Sequence, residues 1–158
     1  IQLEIRFKNL SKHTIRGEMH MPKVKEMMTT EVECCTPLDN MYEAAVKMRD
    51  YNVGAIPITD GNRLIGIVTD RDLVIRGIAE KKPGSTAVTE VMSEQLVTIS
   101  PNASVEEAAR LMAKHQIRRL PVVEGETLVG MMSLGDLAIH EASDEQAGEA
   151  LSEISQYH

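Results

Sequence analysis

The chain has 158 residues, with 42% hydrophobic and 26% charged residues. That is room for one or two domains with a real core that needs neither disulfides nor a structural metal. Its net charge of −7 argues against non-specific contact with a nucleic-acid backbone, and 3% aromatics leave little for stacking single-stranded bases. No apolar run approaches the roughly 18 residues of a membrane span, and no charged n-region precedes an apolar h-region. The expected setting is therefore cytoplasmic, without signal peptide or membrane contact.

In chain order, residues 1–20 come first. Ile1, Leu3, Ile5 and Phe7 alternate with Gln2, Glu4, Arg6 and Lys8, the pattern of an amphipathic strand. The Met-His-Met run at 19–21 has the look of a cloning junction, so part of this arm is expected to be vector-derived. Cys34 and Cys35 are the only cysteines. Adjacent cysteines suit a structural bridge poorly, so reduced thiols are expected, with a redox role as the alternative.

From residue 24 onward the chain repeats itself. Residues 24–73 slide onto 88–137 without a gap, an offset of 88 minus 24, or 64 residues. Val24/Val88, Pro37/Pro101, Glu43/Glu107, Pro57/Pro121, Gly61/Gly125, Gly66/Gly130 and Asp72/Asp136 all match. In each copy Asn40 or Ser104 is a predicted helix N-cap, with Glu43 or Glu107 as capping-box partner. The helices that follow carry Met41, Ala44, Ala45 and Met48, or Val105, Ala108, Ala109 and Met112, on one face. Short strands at 55–59 and 120–123 each contain a proline, which removes a ladder donor and predicts an edge strand or an irregular one there. Asp60-Gly61 and Glu124-Gly125 predict turns into second strands at 64–69 and 128–133, and a second helix follows each. The predicted order per copy is strand, helix, strand, strand, helix.

Thr69-Asp70-Arg71-Asp72 and Ser133-Leu134-Gly135-Asp136 fall at the strand-to-helix junctions. As structure they are capping boxes. As chemistry they gather N–H groups, a hydroxyl and a carboxylate where a ribose diol and a phosphate could sit. Phosphate favours forked guanidinium partners. Arg118 and Arg119 precede Leu120-Pro121 in the second copy, whereas Gly54 and Ala55 hold those positions in the first. There the nearest basic candidates are Arg71 and Arg76. The two sites are thus expected to differ in their taste for a phosphorylated ligand. His115 is expected at the surface near the arginine corner, with a phosphate contact as the alternative.

VGAIPITDGNRLIGIVTDRDL and IRRLPVVEGETLVGMMSLGDL, with the openings VKEMMT and VTEVMS, resemble a tandem pair of CBS (cystathionine-β-synthase-type) domains, a Bateman module. The resemblance runs from Val24 to about Ile139 and is closest to small stand-alone pairs of the hypoxic response protein type. It implies an α/β (α+β) fold of two βαββα units about a pseudo-twofold axis, with adenosyl sites in the cleft. Carried over residue by residue, it implies that Asp72 and Asp136 hold ribose hydroxyls and that Thr69 and Ser133 touch ribose or phosphate. Ala55 with Ile56, and Arg119 with Leu120, would line adenine. Val32 and Leu96 would add first-strand contacts, and Arg71, Arg118 and Arg119 would meet phosphate. The implied ligand is AMP, ADP or ATP, S-adenosylmethionine or NAD, none of them an obligatory cofactor.

The predicted organisation is an arm at 1–20, CBS domain 1 at 21–80, a linker at 81–87, CBS domain 2 at 88–141 and a C-terminal helix at 142–158. No nucleophile elbow, P-loop, dinucleotide fingerprint or zinc-protease motif occurs, so neither catalytic nor metal residues are expected and the chain is expected not to be an enzyme. The expected partners are a nucleotide, a second copy through the CBS helices and an effector protein the sequence does not identify. The competing readings are a structural dimerisation module without ligand and a nucleic-acid binder, against which the acidity weighs.

Overall fold

The computed structural model describes His13–Ile15, Glu18–His20 and residues 21–139. The alternating segment at 1–7 and the expected helix at 142–158 lie outside the described residues. His13–Ile15 (β1) and Glu18–His20 (β2) form a short antiparallel hairpin, with His13 opposite His20.

The helical periodicity holds. Val24–Met27 (α1) is a single turn, and Met41–Tyr51 (α2) and Val105–His115 (α4) are the long helices. Glu43 N–H donates to Asn40 Oδ1 at 2.8 Å while Asn40 N–H donates to the Glu43 carboxylate at 3.2 Å, closing the expected capping box. Glu107 N–H donates to Ser104 Oγ at 3.1 Å. Met41, Ala44 and Met48 are buried, as are Val105, Ala108, Ala109 and Met112. Ala45 departs from the expected face and is exposed. Both helices end on a left-handed residue, Asn52 or Gln116.

The strands are Ala55–Asp60 (β3), Arg63–Thr69 (β4), Arg119–Glu124 (β5) and Thr127–Ser133 (β6). Gly61 and Gly125 turn the hairpins at φ 63° and 64°, which a side chain would resist. After Thr69 the helical turn Asp70–Asp72 (α3) widens into a π-type turn over Leu73–Ile78, where Ala79 N–H reaches back to Val74 O at 2.9 Å. Its counterpart Leu134–Ile139 (α5) is α-helical.

The expected first strand of each copy is a single bridge. Cys35 pairs with Ile58, and Ile99 with Val122, in parallel fashion. Cys35 N–H donates to Pro57 O and Thr59 N–H to Cys35 O, both at 2.9 Å. The next parallel step would need an N–H from Pro57, or from Pro121 in the other copy, and proline has none. The same prolines that mark the edge strands therefore stop their neighbours from growing.

The chain divides into two compact units that cut across the repeat. One combines residues 1–30 with 97–124 and 129–158, the other 31–96 with 125–128. The opening segment of each copy thus belongs with the helix and hairpin of the other. In the first unit, Val105 N–H donates to Pro22 O at 3.0 Å, Lys23 bridges Ser104, and Thr29 and Met131 exchange two bonds of 2.9 Å. In the second, Met41 N–H donates to Thr86 O at 2.8 Å, Asn40 bridges Ala87, and Ile67 and Ser93 exchange bonds of 3.0 and 2.8 Å. The crossing carbonyls satisfy helix N-terminal donors that have no intrahelical partner. Two glycines permit the approach. A Cβ on Gly130 would lie 2.8 Å from Thr29 O and 2.7 Å from Met28 Sδ, and one on Gly66 would strike Met92 and come within 3.1 Å of Ser93 O.

Each unit has its own aliphatic core. Val24, Ile99, Met112, Leu120, Met132 and Leu137 anchor the first; Cys35, Ile56, Ile58, Val68, Val88 and Val91 anchor the second. Methionine fills the gaps that rings would fill elsewhere.

Candidate functional site

The β3–β4 register sets Ala55 opposite Thr69 and Ile56 opposite Val68. Thr69 is extended, at φ −111° and ψ 162°, and ends the strand. Its Oγ1 accepts from Asp72 N–H at 3.0 Å, and Asp72 Oδ2 accepts from Thr69 N–H at 3.0 Å. Asp70 N–H donates to Gly54 O at 2.9 Å, which ties the residues before the proline to the motif. The second copy repeats the arrangement. Ser133 N–H donates to Asp136 Oδ2 at 2.8 Å, Asp136 N–H to Ser133 Oγ at 3.2 Å, and Leu134 N–H to Arg118 O at 3.1 Å.

Each motif is therefore a closed capping ring, as the structural reading expects. The ring engages only one carboxylate oxygen. Oδ1 of Asp72 and of Asp136 has no partner among the described residues, and both side chains are half-buried. A half-buried carboxylate oxygen beside a strand end can accept from a diol without breaking the cap. Capping and ligand binding can thus share one side chain.

The other candidates fall as follows. Ala55 and Arg119 are half-buried at the strand ends, and Arg71 and Arg118 are exposed. Ile56 and Leu120 are fully buried in the two cores, so their side chains are not offered to a ligand. Val32 is half-buried, and its carbonyl accepts a weak bond from Cys34 Sγ at 3.5 Å. Leu96 is half-buried and belongs to the compact unit of the first copy's motif, so the structure does not bring it into the unit that holds Arg118–Asp136. Arg76 is otherwise engaged, since its guanidinium donates to Met92 O at 2.8 Å and fastens the crossing segment. His115 closes α4 at the surface. Motif reasoning misses residues 70 and 134, whose N–H groups bond Gly54 O and Arg118 O; their difference, Asp against Leu, is visible once the copies are aligned.

Among the described residues, neither cysteine hydrogen-bonds to a capping ring. Lys47 Nζ donates to Cys34 O at 2.6 Å and pairs with Glu33 at 3.4 Å. Burial pushes the Cys34 thiol up, and pushes Cys35 up to about 11. Burial therefore favours the protonated thiol over the thiolate at both positions, which weighs against the redox alternative. Among the described residues, no three His, Cys, Asp or Glu side chains gather in a way that could hold a metal ion, and no helix is long and apolar enough to cross a membrane.

Comparison with known proteins adds independent findings. A model described as CBS domain matches residues 24–77 and 88–142. Protein YlbB of Bacillus subtilis (strain 168) is 55% identical over 138 residues, covering 86% of this chain and 93% of its own length. The crystal structure of Hypoxic Response Protein I with two coordinated zinc ions superposes with a TM-score of 0.69 at 35% identity, covering 75% of this chain and 98% of that one. The crystal structure of CBSX2 in complex with AMP gives 0.67 at 25% identity, covering 75% and 94%.

Proposed function

Because the chain belongs to the CBS-domain family, with two copies in tandem, we propose that it is a regulatory module that senses an adenosyl ligand and relays a change of conformation. The ligand is AMP, ADP or ATP, with S-adenosylmethionine and NAD as the remaining adenosyl forms. It is held at the two T/S-x-x-D motifs, within the family units 21–80 and 88–141. The module carries a signal rather than a reaction, in a cytoplasmic setting, and its output is another protein or its own assembly. Relay requires two states that bind the ligand differently.

The observation that carries this reading is the doubled capping ring with one unengaged carboxylate oxygen in each copy. Capping alone uses one oxygen, and its duplication at the ends of corresponding strands suits two nucleosides. The AMP bound in CBSX2 supports the ligand class.

A homodimer completes the proposal. Gly77 packs against Met41, and beside that contact Tyr42, Val74 and Ile78 are exposed. The position of Tyr42 in the second copy is Glu106, so the two copies differ in charge at that position. Sedimentation velocity is expected to give twice the chain mass, and Ile78→Asp to return it to the monomer; a monomeric parent chain would contradict the dimer.

A fluorimetric melt against AMP, ADP, ATP, S-adenosylmethionine and NAD tests the ligand reading. At 100 times Kd a ligand adds about 2.7 kcal/mol. At about 2–4 °C per kcal/mol, at least one compound is expected to raise Tm by about 5–11 °C. No shift with any of them would contradict the reading.

A further inference from the structure

The two corners are built alike and charged differently. In the first copy Gly54 lies against Asp70: a Cβ placed on Gly54 would be 3.2 Å from Asp70 Oδ2 and 3.5 Å from its Cγ. The missing side chain is what lets the carboxylate lie across the strand end. Asp70 Oδ1 accepts from Arg71 N–H at 2.8 Å, and among the described residues no cationic side chain pairs with it. All three amides of the turn Asp70–Asp72 are taken, by Gly54 O, Asp70 Oδ1 and Thr69 Oγ1. No amide of that turn remains for a phosphate.

In the second copy the same backbone bond joins Leu134 to Arg118. An apolar residue stands where the carboxylate stood, and two guanidinium groups stand where Gly54 and Ala55 stood. Neither Arg118 nor Arg119 has an ionic partner among the described residues. With Asp72 and Asp136 included, Asp70, Arg71 and Asp72 leave the first corner with one net negative formal charge, and Arg118, Arg119 and Asp136 leave the second with one net positive charge.

We infer that the corners divide adenosyl ligands by the charge of their 5′ substituent. The Arg118–Asp136 corner takes a 5′-phosphate, and the Gly54–Asp72 corner takes a nucleoside whose 5′ group is uncharged or cationic, such as a thioether or sulfonium. This rests on the adenosyl reading and adds what each site selects. A phosphate beside Asp70 and Asp72 meets two carboxylates with only the exposed Arg71 to offset them, whereas a sulfonium there meets a carboxylate that has no cationic partner among the described residues. Exposure and salt screen the effect, so the expected discrimination is about tenfold at low ionic strength, shrinking as salt rises.

Isothermal titration of the full chain with AMP and 5′-methylthioadenosine tests the division. In the unmodified chain, at concentrations near each probe's tighter Kd, AMP and methylthioadenosine are each expected to titrate one site per chain with little effect on the other, and competition is expected only at about tenfold higher concentration. Replacing both arginines, Arg118→Gln with Arg119→Gln, leaves the caps intact and is expected to weaken AMP about tenfold or more while leaving methylthioadenosine unmoved. Asp70→Asn is expected to bring the two affinities of the first site within about threefold of each other. Competition of the probes for the same sites at the lower concentrations, or an Asp70→Asn variant with an unmoved ratio, overturns the division while adenosyl binding stands. Failure of both probes to bind overturns the adenosyl reading itself, and the division with it.

Discussion

Gly130→Ala is expected to lower Tm by about 6–12 °C. The added Cβ falls 2.8 Å from Thr29 O and 2.7 Å from Met28 Sδ. The methionine can turn aside, but the carbonyl belongs to the backbone bridge in which Thr29 and Met131 exchange two bonds of 2.9 Å. Relief requires the crossing segment to lift. Overpacking costs about 1–3 kcal/mol and a weakened hydrogen bond about 1 kcal/mol more. At about 2–4 °C per kcal/mol, a loss near 3 kcal/mol gives the stated shift. Gly84→Ala is the control, since its Cβ would meet only Tyr42 Cβ, at 3.5 Å. A thermal melt in which Gly130→Ala matches Gly84→Ala would contradict the crossing of the opening segments.

Asp72→Ala combined with Asp136→Ala is expected to erase ligand-induced stabilisation while lowering the unliganded stability modestly. Each change removes a cap bond, worth about 1 kcal/mol. Each also removes the carboxylate oxygen proposed to accept the ribose hydroxyls. Charge-assisted bonds are worth about 1.5–3 kcal/mol apiece, so losing one pair weakens binding at least about 100-fold. At a concentration that was 100 times Kd, the stabilisation drops from about 2.7 to about 0.4 kcal/mol. The shift on adding ligand then shrinks to about 1 °C. The Asp→Asn pair refines the result, because the amide oxygen can keep the cap while the charge is lost. If the motifs are caps and nothing more, the Ala variants melt lower by the same amount with and without ligand.

Local pattern carried much of this structure. Helices at 41–51 and 105–115, the hairpins and their glycine turns follow from periodicity and turn chemistry within a dozen residues. The capping rings were legible because a hydroxyl and an acid three positions apart form a local motif. The crossing of the opening segments was not, because the Thr29–Met131 and Ser93–Ile67 pairings join residues far apart in sequence. Its trace was nevertheless present: Gly66 and Gly130 recur inside strands, where glycine weakens the strand unless another backbone comes close. The short first strands were half legible. Pro57 and Pro121 marked the edge, but the missing donor also acts on the neighbour at Cys35 or Ile99. Arg76 illustrates the opposite limit, since a basic residue near a motif can be spent on a main-chain carbonyl such as that of Met92.

Binding of adenosyl ligands by this CBS pair through its two motifs is directly visible as added mass. Native mass spectrometry of the full chain, incubated with an equimolar mixture of AMP, ADP, ATP, S-adenosylmethionine and NAD, tests it most directly. Adenosyl mass increments are expected on the unmodified chain and none on the chain carrying Asp72→Asn and Asp136→Asn. A bare unmodified chain, or equal retention by both proteins, would contradict it.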